Sequence, residues 1–321
     1  MERDDIHRFF LEVLEKKIPE KTKLVEMLME ILFMEKGAIY RRLRGEVPFS
    51  FFEVVNIAEK LDISLNSFVY TDSVQVDRFE LTFVEYSNMT EMDYKQWEDY
   101  VSLFSLTKND PYSEIAESSN VLPITIYARF DSLVKYYLFK YQYLLHESES
   151  RISFSDLVLP ERLHQIYWSY FNESKHFANT IYIWDYLIFQ YLATDIRYFS
   201  SINLISKDDI ELLREDLFAL LDYIERIALT GSFRETGKPV SFYISDINLD
   251  GDYSNIQIND FLMSHVRTFI LNSVASTDRT AFLKIKDWIQ SLKKSSTLIT
   301  KSGAVYRADF FEKQRRMIAE L

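Results

Sequence analysis

Apolar positions recur at three- and four-residue intervals along most of this chain, the spacing that lines up one face of an α-helix. In IHRFFLEVLEKKI the stripe is Ile6, Phe9, Phe10, Val13 and Leu14. In KLVEMLMEIL it is Leu24, Leu28, Ile31 and Leu32. A third helix is predicted from Glu35 to Arg44, stopped by Gly45. SFFE, Ser50 to Glu53, has the form of a capping box and opens a fourth helix with apolar positions Phe51, Val54, Val55, Ala58 and Leu61. ISLNSFV supplies a short fifth helix, with Ser64 as its cap.

Beyond Tyr70 aromatic residues thicken and the periodic stretches lengthen. Helices are predicted near Asp93–Leu106, Thr125–Leu145, Pro160–Phe171, Phe177–Phe199, Lys207–Leu229, Asn259–Val274 and Thr280–Leu292, with a charged helix at the end. Ser206, followed three residues on by Asp209, marks the start of one of them. SFYISDINLDGDYSNIQI breaks the pattern: period-two runs flank Asp250-Gly251, a hairpin signal. SSTLIT reads as a short strand or turn. The expected fold is mainly α: a five-helix domain over residues 1–70, then a larger helical domain over 71–321 with one β-hairpin near 240–258.

Composition narrows the chemistry. The six glycines are scattered, so neither a dinucleotide fingerprint nor a phosphate loop can be written from them. The absence of cysteine excludes disulfides, thiol catalysis and thiolate zinc sites. None of the five histidines pairs at metal-ligand spacing, and the Ser-x-x-Lys at Ser291–Lys294 lacks companion motifs. Asp246, Asn248, Asp250 and Gly251 match the first positions of a calcium loop, but Gln257 stands where a bidentate Glu belongs, and a hairpin is the better reading. No enzyme activity, metal or cofactor is therefore expected. FANTIYIWDYLIFQYLAT carries Asn179, Asp185 and Gln190, which suits a buried core helix and not a membrane span. The charged N-terminus lacks an apolar signal core, so a cytoplasmic protein is expected.

The formal charge is -12, yet Arg41, Arg42 and Arg44 crowd one short segment. Residues 21–45 hold six Lys and Arg against three Asp and Glu, a local net of +3. On a helix from Glu35, residues Lys36, Gly37, Tyr40, Arg41 and Arg44 share one face, and Ile39 and Leu43 point away from it. Gly37 leaves a gap where another backbone could approach.

LMEILFMEKGAIYRRLRG, Leu28 to Gly45, resembles the helix-turn-helix of the lambda-repressor/Cro-like superfamily, also called the XRE family. Leu28, Leu32, Met34, Ile39 and Gly45 fall on that pattern's apolar and glycine positions. Pro48, Ile57, Ala58, Leu61, Ile63, Ser64 and Phe68 match its continuation. The sequence departs from the pattern at Met29, at Phe33 (the turn glycine), at Arg42 (an aliphatic residue) and at Leu43 (a glutamate). The resemblance covers the first seventy residues. It implies that the third helix enters the DNA major groove, with Lys36, Gly37, Tyr40 and Arg41 facing bases and Arg44 facing phosphate. Lys21, Thr22 and Lys23, opening the second helix, could grip the backbone.

The larger domain holds most of the 21 Tyr and 25 Phe. Its helices are apolar nearly all round, with Asp131, Asp185 and Asp195 set among tyrosines such as Tyr137 and Tyr186. These five residues outline a candidate effector pocket; a self-satisfied core and a dimer interface are the other readings. The layout resembles bacterial regulators with a helical sensor body. The expected function is a homodimeric, sequence-specific DNA-binding transcriptional regulator, with double-stranded DNA as partner and a small molecule or peptide as effector. The alternative is a helical scaffold whose N-terminal module docks an acidic protein.

Overall fold

The computed structural model describes residues 3–61, 63, 79–145 and 152–321. The chain divides into two compact units, Met1–Val76 and Asp77–Leu321. Helices α1 (Arg3–Lys17), α2 (Lys21–Leu32), α3 (Lys36–Leu43) and α4 (Phe51–Lys60) build the first. Their apolar stripes meet in one core, where Phe10, Leu14, Leu24, Leu28, Ile39, Ile57 and Ala58 are buried. Each large aliphatic side chain in it contributes on the order of 1.5–3 kcal/mol. The Glu53 N–H donates to Ser50 Oγ at 3.3 Å and the Ser50 N–H donates to Glu53 Oε2 at 2.7 Å, closing the capping box of α4. Between α2 and α3, Phe33 takes the left-handed conformation (φ 53, ψ 42) with its ring 94% exposed. Of the fifth helix expected over ISLNSFV, residues 63–69, Ile63 is described and joins this core, and residues 64–69 lie outside the described residues.

The second unit is not the helical body with a single hairpin that the periodicity predicts, and the chain is not all-α. It is built on an eight-stranded mixed sheet in the order β1-β7-β6-β5-β2-β3-β4-β8. The strands are β1 (Glu80–Leu81), β2 (Glu114–Ser119), β3 (Asn179–Asp185), β4 (Val240–Ser245), β5 (Tyr253–Ile258), β6 (Phe261–Arg267), β7 (Ser273–Ser276) and β8 (Ser296–Leu298). Strands β2, β3 and β4 are parallel, and the other pairings are antiparallel. Parallel neighbours need crossovers. Here α6 (Ile124–Tyr127), α7 (Asp131–Leu145) and α8 (Glu161–Glu173) link β2 to β3, while α9 (Ile188–Ser201) and α10 (Lys207–Thr230) link β3 to β4. Among the described residues, the unit's other α-helices are α5 (Glu91–Ser105), α11 (Arg279–Leu292) and α12 (Ala304–Ala319).

Burial on both faces explains the misreading of β3. Tyr182 and Trp184 enter the large aromatic core with α7, α9 and α10, while Ile181 and Ile183 pack on Ile289 and Leu292 of α11. Such a strand loses its alternation and reads as a continuous apolar run. The helix expected over Phe177–Phe199 is β3 followed by α9. Asp185 sets the break, accepting the Leu187 N–H at 2.8 Å.

The hairpin expected about Asp250-Gly251 is also corrected. Its flanking strands β4 and β5 are not neighbours, because β3 and β2 lie between them. The tight turn comes one strand later. Ile258 pairs with Phe261 across Asn259-Asp260, and Asn259 takes the left-handed conformation (φ 51) that Asn tolerates. The helix expected over Asn259–Val274 is therefore the β6–β7 meander. Among the described residues, no helix is long and apolar enough to cross a membrane.

Candidate nucleic-acid interface

Helix α3 is amphipathic in the sense the sequence implies. Ile39 is fully buried against α2, while Lys36, Gly37, Arg41 and Arg44 are exposed and Tyr40 is half-buried at the core edge. Gly37 has open space where a Cβ would project. Gly45 ends the segment with φ 76, a conformation glycine adopts freely.

The three arginines separate by environment. Arg42 lies inward: its Nε donates to Glu53 Oε2 at 3.1 Å and its Nη2 to Glu53 Oε1 at 2.8 Å. Their side chains are 17% and 12% exposed. Arg44 and Arg41 both lie near Glu46, at 3.0 and 3.8 Å. Both stay about 60% exposed. Exposed pairs of this kind contribute about 0–1 kcal/mol, so an anionic partner can displace them cheaply.

The helix starts add a second feature. The first turns of α2 and α3 carry no acidic residue, and their acidic N-caps, Glu20 and Glu35, make no side-chain capping bond; α2 opens with exposed Lys21, Thr22 and Lys23, and α3 with Lys36. Cations at the positive end of a helix are unfavourable by about 0.3–1 kcal/mol each. A bound anion would reverse the sign of that interaction and accept the free backbone N–H groups. Helix α4 shows the ordinary solution, with Glu53 in its first turn.

The five residues of the candidate effector pocket are not brought together. Asp131 lies at the exposed start of α7, 2.9 Å from His164 Nε2. Asp185 is buried and holds loops together, accepting N–H groups from Leu187 and Leu249. Tyr186 packs on Phe310 of α12. Tyr137 and Asp195 do share a cavity, where Asp195 is ion-paired with Lys140.

A different cavity lies on the sheet itself. Glu117 of β2 and His265 and Arg267 of β6 face it, and the sequence reading singled out none of them. EIAESS does not alternate between apolar and polar residues, and only its pairing as a strand puts Ile115, Glu117 and Ser119 on one face.

Comparison of the chain with known family models, curated proteins and solved structures finds no match.

Proposed function

We propose that the protein is a sequence-specific DNA-binding regulator that reads the major groove with α3. The observation that carries this is the division of labour on that helix. Ile39 anchors it, Arg42 is tied to Glu53, and Lys36, Arg41 and Arg44 remain outside around an open glycine. Arginine suits guanine O6 and N7 bidentately, and Lys21, Thr22, Lys23 and Arg44 are placed for phosphates. Residues outside the first seventy carry most of the negative charge, so affinity per copy is modest and falls steeply with salt. Two copies reading two half-sites would restore it. The second unit is then the sensing or assembly module of a cytoplasmic regulator.

Selection of duplexes from a random pool, followed by mobility-shift titration, tests this reading. An enriched motif is expected, with Arg41→Ala weakening its binding by roughly 10–100-fold. No enrichment at low salt, together with retention of an acidic protein, would move the cationic face to protein docking.

A further inference from the structure

Glu117 sits in the middle of a polar rung across the sheet. It pairs in register with Tyr182 of β3 on one side and Ser254 of β5 on the other, and Ser254 pairs in turn with His265 of β6. Helices α5, α6 and α8 roof this rung with Trp97, Tyr100, Tyr127 and Tyr170, leaving a cavity of about 150 Å³. A cavity of that volume holds a molecule about the size of benzene.

The charges in it do not balance locally. Tyr182 donates to Thr125 Oγ1 at 3.1 Å, and Thr125 donates to Glu117 Oε2 at 2.7 Å. The neighbouring cation is engaged elsewhere: Arg267 Nε lies 2.9 Å from Asp252 Oδ2. His265 is held between Tyr100, at 3.1 Å, and Ser254, at 3.3 Å. Loss of solvent pushes its imidazole down to about 4, so it is neutral and supplies no charge. The same desolvation pushes the Glu117 carboxyl up to about 7, against the hydrogen bond from Thr125 and the field of Arg267, with Asp252 adding to the rise. Glu117 is partly buried, and among the described residues no cation pairs with it directly; a carboxylate so placed favours a positively charged guest. Aromatic walls add cation–π attraction. Asp252, the second carboxylate lining the cavity, is already paired with Arg267, and the one unpaired carboxylate left is a poor site for a hard metal ion, which takes six or more oxygen ligands. Among the described residues, no cluster of three or more metal-binding side chains is present.

We propose that this cavity binds a small organic ammonium ion, its charge against Glu117 and its alkyl groups against Trp97, Tyr127 and Tyr170. The site stands independently of what α3 binds.

A charge series of one shape tests it on the full chain: tert-butylammonium, tert-butanol and pivalate, with tetramethylammonium as a second cation, followed by NMR titration near pH ~8, where the carboxylate is ionised and the amine still protonated. Saturable binding of a cation is expected with Kd of about 0.1–10 mM, typical for so small a ligand. Tert-butanol should bind at least about tenfold more weakly, and pivalate more weakly still. Glu117→Gln, which keeps the shape and can still accept from Thr125, should abolish the preference for charge. The proposal is overturned if neither cation binds saturably, if tert-butanol or pivalate binds as well as tert-butylammonium, or if the Gln variant keeps the cation preference.

Discussion

Glu53 holds Arg42 with both carboxylate oxygens, at 3.1 and 2.8 Å, and with the same carboxylate caps α4 by accepting the Ser50 N–H at 2.7 Å. One side chain thus ties α3 to α4 and fixes the start of α4. Glu53→Ala removes the ion pair and half of the capping box. It should cost the first unit roughly 2–4 kcal/mol, read as faster amide hydrogen exchange across α3 and α4 in the full chain. Burial alone would raise the Glu53 carboxyl, but the Arg42 hydrogen bonds, the Ser50 N–H and the Arg42 charge together hold it below the ordinary 4.5. A depressed folded value means the stabilisation is present above 4.5 and is lost as pH falls through the lowered value. Protection of α3 and α4 should decline over that acidic window in the parent and stay flat in the Ala variant.

Phe33 occupies the left-handed region at φ 53 with its ring in solvent, so it bears the backbone cost without a packing gain. That conformation costs a non-glycine residue about 1–2 kcal/mol, partly offset by the extra freedom glycine has when unfolded. Phe33→Gly should stabilise the first unit by about 0.5–1 kcal/mol, seen as slower exchange in α2 and α3. A loss of stability would show that the exposed ring has a partner.

These two positions also show what the sequence could reveal. The capping box, the buried stripe and the bulky turn residue are local, and local rules place them. The same holds for α10, where Ser206 and Asp209 form the expected cap. The sheet was hidden for a non-local reason. The alternation of β3 vanishes because aromatic core covers one face and α11 the other. Asp250-Gly251 has hairpin chemistry, but its flanking strands find partners across two intervening strands. Spacing places Lys36, Gly37, Arg41 and Arg44 outward on α3 as found, but it also puts Tyr40 on that face, and Tyr40 instead lies half-buried against the core. The Glu117 cavity could not, since its floor comes from β2, β5 and β6 and its roof from α5, α6 and α8.

Gly37 has no atom within 4 Å of a built Cβ and a φ outside the left-handed range. Gly37→Ala should therefore stabilise α3 by about 0.5–1 kcal/mol in the free protein. If a groove wall or phosphate comes close at that point, the added methyl must instead weaken DNA binding. Higher protection with lower affinity is the expected pairing; unchanged affinity would place Gly37 away from the contact.

Arg41 and Arg44 are equally exposed, yet the proposal gives them different tasks. A phosphate contact weakens binding to all sequences alike and contributes to the salt slope, whereas a base contact discriminates. Arg44→Ala should lower affinity uniformly and reduce the slope of log K against log salt by about 1. Arg41→Ala should flatten preference at one base position. Identical behaviour of the two variants, measured as binding isotherms over a salt series on cognate and scrambled duplexes, would contradict the assignment.

The Glu117 carboxyl, raised to about 7 chiefly by desolvation, makes a signed prediction for the unliganded protein. Because the folded state binds this proton more tightly than the unfolded chain, the carboxyl favours folding most at low pH. That contribution is lost as pH climbs from the ordinary 4.5 to about 7. His265 acts oppositely: lowered to about 4, it makes the fold less stable as pH falls from 6.5 toward that value. The parent curve therefore mixes two opposing trends, with Arg267 and Asp252 already paired and Tyr127, Tyr170 and Tyr182 raised well clear of the window. Subtracting parent from Glu117→Gln isolates the carboxyl. The Gln variant should gain on the parent by roughly 1–3 kcal/mol between pH ~4.5 and ~7 and stay level above that, measured by denaturant unfolding of the second unit. Saturating tert-butylammonium should erase most of that gain, since the cation stabilises the parent more than the variant. A difference curve that is flat from acid to neutral pH would mean that Glu117 is solvated, and the ammonium site would lose its counter-charge argument.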